Sequence, residues 1–416
     1  METANVHAAV AEAHRHEWTA VLSATLRLTR DIDLAEECAQ DAYAKALTTW
    51  PEQGVPDRPG AWLTTVARNR ARDLLRRESV LRRAIPQLVS DEVIAGPDEV
   101  ERPVLDDDRL RLIFTCCHPA LSREAQIALT LRLVCGLSTA EVAHAFLVQE
   151  STMAARITRA KKKIAVARVP YRIPAAEELP HRLEAVSAVI QLVFTTGHTA
   201  PIGDQLLRTD LTDRAIDLAR LLHQLFPADG TVTGLLALVL LIDARRTTRV
   251  SPAGALVLLA EQDRSQWDRD RIAEGAALLE SALRARPLSV YAVQAAIAAL
   301  HAEAPSWQDT DWEQIVGLYD VQRERWPSPV VDLNRAVAIG FRDGPEAGLR
   351  ELEPLLAEPA LATYGYLSAA RADFLRQLHR WAEAEVAYDE ALALTDNEVE
   401  RAFLTDRLRE VRRRLS

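Results

Sequence analysis

The sequence of 416 residues predicts an all-α protein. Apolar residues recur at the three- and four-residue spacing of amphipathic helices, and no sustained alternation of apolar and polar residues indicates a strand. Alanine, leucine, arginine and glutamate, which favour helices, supply most of the chain. With 48% hydrophobic residues, the chain can bury an ordinary core in each of two or three domains. Global disorder is therefore excluded.

The first helical block is predicted over residues 1–79. Helices are expected over residues 18–30 and 34–50, with Asp33 as the N-cap of the second, followed by a proline-rich loop and a basic helix. The basic helix begins at Ala61 and carries seven arginines within AWLTTVARNRARDLLRRESVLRR, in a chain whose net charge is −10. Such a cluster in an acidic chain indicates a polyanionic partner.

Residues 80–104 predict an acidic linker, because prolines and carboxylates interrupt the helical pattern there. A second helical block follows over residues 105–172 and contains a helix-turn-helix pattern. Ser138 or Thr139 is expected to cap its scaffold helix, and Thr152 to open the basic helix that would enter the major groove of DNA. An ordinary helical hairpin with a solvated basic face is the alternative.

Residues 173–416 predict an array of alanine-rich helix pairs. Its best-formed unit, RADFLRQLHRWAEAEVAYDEALALTDN, places small and aromatic residues at the contact positions of a tetratricopeptide helix pair. These positions are Ala372, Leu375, Ala384, Tyr388 and Ala391. The array either stabilises the chain or binds a partner or ligand. Its polar and aromatic residues could line a concave site or cap helices; they are Asp263, Arg264, Trp267, Asp268, Asp311, Trp312, Asn334 and Arg335.

An enzymatic site is not indicated, and we expect no catalytic residue, metal or cofactor. The one compact group of soft ligands is Cys116, Cys117 and His118, but successive helical residues lie about 100° apart and do not converge easily on one zinc ion. The four cysteines lack CxxC spacing, which favours a reducing cytoplasm. No apolar run reaches the length of a membrane span.

Two tryptophans, Trp50 and Trp62, flank the proline-rich loop before the basic helix. Aromatic faces beside cations suit unstacked bases, because single strands bind by stacking and by neutralisation of their phosphates. Burial of Trp62 in the core is the alternative.

These motifs, in this order and separation, resemble bacterial extracytoplasmic-function (ECF) sigma factors of the sigma-70 class. The resemblance is carried by DLAEECAQDAYAKALTTW, GAWLTTVARNRARDLLRR and LSTAEVAHAFLVQESTMAARITRAKKKI. Residues 173–416 resemble the tetratricopeptide-like helical extension of one subgroup of these factors. The resemblance therefore covers nearly the whole chain.

The resemblance implies that residues 1–79 are a sigma-2 domain and residues 105–172 a sigma-4 domain, which together bring core RNA polymerase to promoter DNA. An exposed acidic face would dock on the clamp coiled coil of the largest polymerase subunit through Asp33, Glu36, Glu37, Gln40 and Asp41. The −10 promoter element would be held by Trp62, Arg68, Asn69, Arg70, Arg76 and Arg77. The −35 element would be contacted by Thr152, Arg156, Arg159, Lys161, Lys162 and Lys163.

We therefore expect a cytoplasmic, non-enzymatic alternative sigma factor that is regulated through its helical extension by a protein partner or a small ligand. The alternative is a helix-turn-helix regulator with a helical-repeat domain that acts without polymerase. Ala154 and Ala155 stand where many relatives carry basic residues or serine, so the preferred bases stay open. The negative net charge is expected to weaken DNA binding by the free protein.

Overall fold

A computed structural model describes residues 2–84, 108–146 and 148–415. These residues are helical almost throughout, and the sheet found among them is a two-residue parallel pair. The all-α prediction is confirmed. The chain divides into two compact units, Met1–Val189 and Ile190–Ser416. Most of the predicted linker, residues 80–104, lies outside the described residues.

Three mutually packed helices open the amino-terminal unit. They are α1 (Glu2–Thr29), α2 (Ile32–Gln53) and α3 (Pro59–Ala84). Asp31 caps α2, since its carboxylate accepts a hydrogen bond from the Leu34 amide at 2.9 Å. The predicted cap, Asp33, is wrong: that residue lies in the first turn of the helix. The basic helix also continues past residue 79 to Ala84.

In its described residues, the second block contains four α-helices. They are α4 (Asp108–Cys116), α5 (Arg123–Leu129), α6 (Thr139–Ala145) and α7 (Glu150–Val166), with a π-helical turn at Thr130–Val134. Ser138 and Glu141 form a capping box: the Glu141 amide donates to Ser138 Oγ at 3.1 Å, and the Ser138 amide donates to Glu141 Oε2 at 2.7 Å. Ser138 is therefore the cap of the scaffold helix. Thr152 lies in the first turn of α7.

The two blocks pack against each other inside one unit. Trp18 Nε1 of α1 donates to the Leu133 carbonyl at 3.1 Å, and Thr19 Oγ1 donates to the Val134 carbonyl at 2.5 Å. Gly136 has a φ of +72°, and a Cβ there would lie 2.9 Å from Trp18 Cδ1. Only glycine permits this backbone conformation and this close approach together. The π-helical turn is thereby fixed against α1.

Helices form the carboxy-terminal unit. They are the end of α8 (Leu179–His198), α9 (Thr209–Leu225), α10 (Gly230–Asp243), α11 (Arg269–Arg284), α12 (Val290–Glu303), α13 (Trp312–Arg325), α14 (Pro329–Asp343), α15 (Pro345–Leu352), α16 (Gly365–Gln377), α17 (Trp381–Ala393) and α18 (Glu398–Leu415). 3₁₀ turns lie between α10 and α11 and between α15 and α16. From α9 onward, neighbours in the chain are also neighbours in space. No helix in the described ranges is long and apolar enough to cross a bilayer.

The contact positions predicted for α16 and α17 are buried together. Ala372, Leu375, Ala384, Tyr388 and Ala391 belong to one hydrophobic cluster, which α18 completes. Small residues let paired helices approach closely, and the tyrosine ring fills the space between them. The assignment of these pairs to the tetratricopeptide type stays a prediction.

The end of the carboxy-terminal unit returns to its beginning. Ile202–Gly203 (β1) pairs in parallel with Asp396–Asn397 (β2). Asn397 is fully buried, and its Nδ2 donates to the Ala200 carbonyl at 2.9 Å and to the Gln205 carbonyl at 3.0 Å. The side chain amide thus holds the last helix to the first loop of the unit.

Candidate nucleic-acid interface

The basic helix α3 has one buried face and one exposed face. Leu63, Ala67 and Ala71 recur every four residues and are fully buried. Helical periodicity therefore directs the intervening residues outward. Among the predicted −10 contacts, Asn69, Arg76 and Arg77 lie on the exposed face.

Two other predicted −10 residues, Arg68 and Arg70, are half-buried. Arg70 Nε donates to Asp41 Oδ2 at 2.8 Å, and Arg70 Nη2 lies 4.0 Å from Glu37 Oε1. The hydrogen bond to Asp41 raises the pKa of Arg70. Arg68 buries its Nε, which has no hydrogen-bond partner in the part of the chain that the structure describes. The cationic face of α3 and the acidic face of α2 are thus partly paired with each other.

Trp50 and Trp62 form an edge-to-face pair at the loop before α3. Their ring centroids lie 5.6 Å apart with an interplanar angle of 64°. Trp50 is 1% exposed, so it belongs to the core. Trp62 is only half-buried and keeps accessible ring surface. The pair therefore combines a structural tryptophan with one that can still offer a face to a base.

The acidic face of α2 is exposed in part. Asp33, Glu37, Gln40 and Asp41 lie at the surface as expected. Glu36 is different because it is only 6% exposed, so the prediction of an exposed Glu36 is wrong. Two cations of the second block reach its carboxylate and compensate its burial.

Those cations are Arg132 and Lys161. Arg132 Nη2 donates to Glu36 Oε1, and Lys161 Nζ donates to Glu36 Oε2 and Asp33 Oδ1, each at 2.7 Å. The Lys161 side chain is 13% exposed. Its burial lowers the pKa, but the hydrogen bonds to the two carboxylates outweigh that effect and raise it overall.

Lys161 was expected to reach DNA phosphate, and in this structure it does not face solvent. Arg132 binds the same residue, Glu36. The sequence gives no sign of this contact, because Arg132 and Glu36 lie 96 residues apart in the chain. The structure therefore adds Arg132 to the residues of this interface and turns Lys161 toward α2.

The recognition helix α7 packs through one stripe and exposes another. Met153, Ile157, Ala160 and Ile164 are its buried residues. Thr152, Arg159, Lys162 and Lys163 are exposed, as predicted for the −35 contacts. They recur at helical spacing, so they form one surface.

Arg156 is held against neighbouring helices. Its Nη1 lies 3.3 Å from Glu124 Oε2, and its guanidinium lies 5.7 Å from the centroid of the Phe146 ring. These contacts occupy the side chain on the flank of α7. Of the six predicted −35 residues, four are thus exposed, while Arg156 and Lys161 are bound within the unit.

The cysteine cluster is part of the core. Cys116 and Cys117 are fully buried, and Cys117 Sγ lies 3.6 Å from Thr130 Oγ1. Burial raises the pKa of the Cys117 thiol to about 11 and raises that of Cys116 as well. Burial thus favours the neutral thiols over the thiolates that metal ligation requires. In the described ranges, no group of three or more His, Cys, Asp or Glu side chains is arranged to hold a metal ion.

Several polar residues singled out in the extension have structural roles. Asp263, Asp268 and Asp311 accept backbone hydrogen bonds at helix starts. Arg335 Nε donates to Asp320 at 2.6 Å, and its Nη1 donates to Glu351 at 2.8 Å. Helix capping and ion pairing thus account for these residues.

Comparison with protein families gives three matches along the chain. Residues 15–80 match Sigma-70 region 2, and residues 111–164 match Sigma-70, region 4. Residues 182–283 match a family of unknown function, DUF6596. The first two matches contain the two exposed basic surfaces on α3 and α7.

Relatives match the chain over different lengths. An uncharacterized protein of Rhizobium meliloti (strain 1021) is 45% identical over 391 residues, which is 92% of this chain and 91% of that protein. The probable ECF RNA polymerase sigma factor SigI of Mycobacterium tuberculosis (strain ATCC 25618 / H37Rv) is 26% identical over 176 residues. That match covers 41% of this chain and 59% of that protein. No solved structure matches the chain.

Proposed function

The chain belongs to the sigma-70 family, and on that premise we propose that it is an alternative sigma factor of the ECF type. It binds core RNA polymerase, directs it to promoters and assists their melting, and it has no catalytic activity of its own. It acts in the cytoplasm, where polymerase and promoter DNA are found.

The observation that carries this proposal is the pair of exposed basic surfaces in the two sigma-70 regions. One is formed on α3 by Asn69, Arg76 and Arg77, and the other on α7 by Arg159, Lys162 and Lys163. Each can neutralise DNA phosphates although the chain as a whole has a net charge of −10. Two separate promoter elements require two such surfaces.

The first surface is assigned to the −10 element. Trp62 lies beside the start of α3 and keeps accessible ring surface, so it can stack on an unpaired base while the arginines hold the backbone. The energy for opening the duplex would come from these contacts, and nucleotide addition would belong to the polymerase. The second surface is assigned to the −35 element, where α7 enters the major groove.

The acidic face of α2 is assigned to polymerase docking. Glu37 and Gln40 are exposed, whereas Glu36 and Asp33 are bound by Lys161, and Asp41 is bound by Arg70. Docking through all five residues would exchange these internal contacts for contacts with the polymerase. In the described arrangement, these internal contacts therefore cover part of the docking surface.

The carboxy-terminal unit is assigned a regulatory role. It is a separate compact body that follows both DNA-contacting regions. A body of this kind can bias the opening of the contacts between α2 and α7 when it binds a partner or ligand.

Transcription from a cognate promoter with purified core polymerase and the full chain tests the proposal. We expect start-site-selective RNA only when both are present. Arg76→Ala with Arg77→Ala should reduce open-complex formation at least tenfold with little effect on core binding. The charge-matched control is Arg413→Ala with Arg414→Ala on α18, which should behave like the wild type. A specific footprint by the protein alone, without any initiation, would instead establish the polymerase-independent regulator.

A further inference from the structure

Basic side chains collect in the interior of the carboxy-terminal unit without matching carboxylates. Arg245 and Arg249 follow α10, Arg264 lies in a 3₁₀ turn before α11, and His301 lies in the last turn of α12. Arg249 and Arg264 are each 8% exposed. Arginines are rarely buried to this extent unless they are paired.

Arg264 is anchored but not neutralised. Its Nη1 donates to the carbonyls of His301 at 2.5 Å and Ala304 at 2.8 Å, and its guanidinium lies 4.6 Å from the centroid of the Trp267 ring. Its Nη2 is buried and has no hydrogen-bond partner within the described part of the chain. Burial lowers the pKa of Arg264. The two carbonyls and the Trp267 ring fix the guanidinium group of Arg264 and leave its Nη2 without an acceptor among the described residues.

Arg245 lacks any neutralising partner. Among the residues that the structure describes, it has no hydrogen bond or ion pair. Burial, and then the charge of Arg264, lowers its pKa to about 10. Its side chain nevertheless keeps some accessible surface. A ligand can therefore contact the Arg245 side chain.

His301 completes the group. Its Nδ1 is buried and has no partner among the described residues, and its ring stacks on Trp307 with centroids 6.4 Å apart. Burial, followed by the charges of Arg245 and Arg264, lowers the pKa of His301 to about 4. The ring is therefore neutral at pH 7. Its Nδ1 can donate a hydrogen bond to a ligand or accept one from it, depending on the tautomer.

The nearby carboxylates are already used. Asp243 ends α10 and accepts from Arg246 Nε at 2.8 Å, and Arg271 also reaches it. On the far side, Glu400 accepts from the Tyr366 hydroxyl at 2.7 Å and acts on Arg249 only through its charge. Asp309 accepts from Ser306 Oγ at 2.6 Å and acts on Arg264 only through its charge. Among the described residues, neither Arg245 nor Arg264 thus has a carboxylate as an ion-pair partner, an arrangement that costs free energy unless a ligand compensates it.

We propose that Arg245, Arg264 and His301 form a binding site for the phosphate group of a small molecule. The free Nη2 of Arg264, the unpaired guanidinium of Arg245 and the free Nδ1 of His301 supply the hydrogen-bonding groups. Guanidinium forks match phosphate oxygens, and a dianion neutralises two arginines where a carboxylate neutralises one. This site does not depend on the sigma-factor assignment, because its occupancy is measured without polymerase or DNA.

The test is thermal unfolding and calorimetric titration of the full chain at constant ionic strength, with inorganic phosphate, adenosine monophosphate and acetate as probes. Phosphate at about 100 times its Kd should raise the unfolding midpoint of the carboxy-terminal unit by about 5 °C or more. Acetate should not. Equal effects of acetate and phosphate, or no saturable binding of either phosphate probe, would overturn the proposal.

The variant Arg245→Met tests whether Arg245 binds a ligand or only stabilises the fold. We expect an unchanged or higher unfolding midpoint without phosphate, because an uncompensated charge is removed, and at least tenfold weaker phosphate binding. Arg335→Met is the matched control: it removes an arginine paired with Asp320 and Glu351, so it should lower the midpoint and keep phosphate binding.

Phosphate also stabilises proteins without a site, by exclusion from their surfaces. A stabilisation by phosphate that persists unchanged in Arg245→Met would therefore count against the proposal, as would a lower midpoint of this variant in phosphate-free buffer. Adenosine monophosphate binding at least tenfold more tightly than phosphate would identify an organic phosphate as the occupant. Equal affinities would identify free phosphate, and both results support the site.

Discussion

Lys161 Nζ lies 2.7 Å from Glu36 Oε2 and joins α7, the predicted DNA-recognition helix, to α2, the predicted polymerase-docking helix. The two residues are 125 positions apart in the chain. Each belongs to a surface that the proposed function needs in an accessible state. Internal pairing of the two surfaces therefore competes with both external partners.

The first prediction concerns this ion pair. Lys161→Ala should lower the free energy of unfolding of the amino-terminal unit by about 1–3 kcal/mol, because a buried carboxylate loses one of its donors. The same variant should bind core polymerase several-fold more tightly in the absence of DNA, since Asp33 is released and Glu36 keeps Arg132 as its cationic partner. Urea unfolding and fluorescence anisotropy with labelled protein measure the two effects.

Lys162→Ala is the control for this experiment. Lys162 is the next residue and is exposed, so its loss should leave stability and core binding unchanged. Equal core affinities of Lys161→Ala and Lys162→Ala would show that the ion pair does not restrict docking.

The second prediction separates the two tryptophans of the loop before α3. Trp50→Ala should cost about 3–5 kcal/mol of stability, because a large buried ring is removed. Trp62→Ala should cost much less, and it should weaken binding of the polymerase complex to single-stranded −10 DNA by about tenfold through loss of stacking. Urea unfolding and strand-binding titrations measure these effects. A large stability loss for Trp62→Ala without a change in strand binding would assign that ring to the core.

The third prediction distinguishes exposed from engaged cations on α7. Arg159→Ala should weaken −35 DNA binding and reduce the salt dependence of binding by about one counterion, with no loss of stability. Arg156→Ala should mainly lower stability, because Arg156 contacts Glu124 and Phe146. DNA affinity of the polymerase complex across a salt series, together with urea unfolding, checks both. The assignment fails if the two variants exchange these effects.

The fourth prediction concerns pH. The folded chain holds the pKa of His301 at about 4, whereas the unfolded chain has the ordinary value of about 6.5. Between these values the unfolded state binds more protons, so the stabilising effect is complete above pH 6.5 and is lost as the pH falls toward 4. At pH 5 the loss should reach about 2 kcal/mol for His301. His198, whose pKa burial also lowers, adds in the same direction.

Urea unfolding of the carboxy-terminal unit at pH 7.5 and pH 5, in phosphate-free buffer, measures this loss. His301→Gln should reduce the difference between the two pH values. His379→Gln, at an exposed position of the same unit, should leave it unchanged. An identical pH dependence in wild type and His301→Gln would refute the prediction.

Local patterns were sufficient to predict the helices and one cap. Ser138, one of the two residues expected to cap the scaffold helix, forms a capping box with Glu141. The cap of α2 was predicted two residues too late, because Asp31 precedes the helix and Asp33 lies in its first turn. The choice depends on the extended backbone at Asp31, with a φ of −131°, which the sequence does not display.

Contacts between distant segments were beyond the sequence. Lys161, Lys162 and Lys163 form a run of identical residues, but successive helical positions point about 100° apart. Only Lys161 reaches α2, where Glu36 accepts from it. The difference between Glu36 and the exposed Glu37 has the same origin. A linear pattern gives the charge of such residues, while the helix that lies opposite decides whether the charge is buried.

The strand pair between Ile202–Gly203 and Asp396–Asn397 joins the last part of the carboxy-terminal unit to its first part. An open solenoid can gain or lose a repeat at either end, because each repeat touches only its neighbours. In this unit, inserting or deleting a helix pair would displace one strand from the other and deprive Asn397 of both its carbonyl acceptors. The strand pair therefore restricts the number of helices between its two strands. Designs that exchange repeats of this unit must keep that number constant.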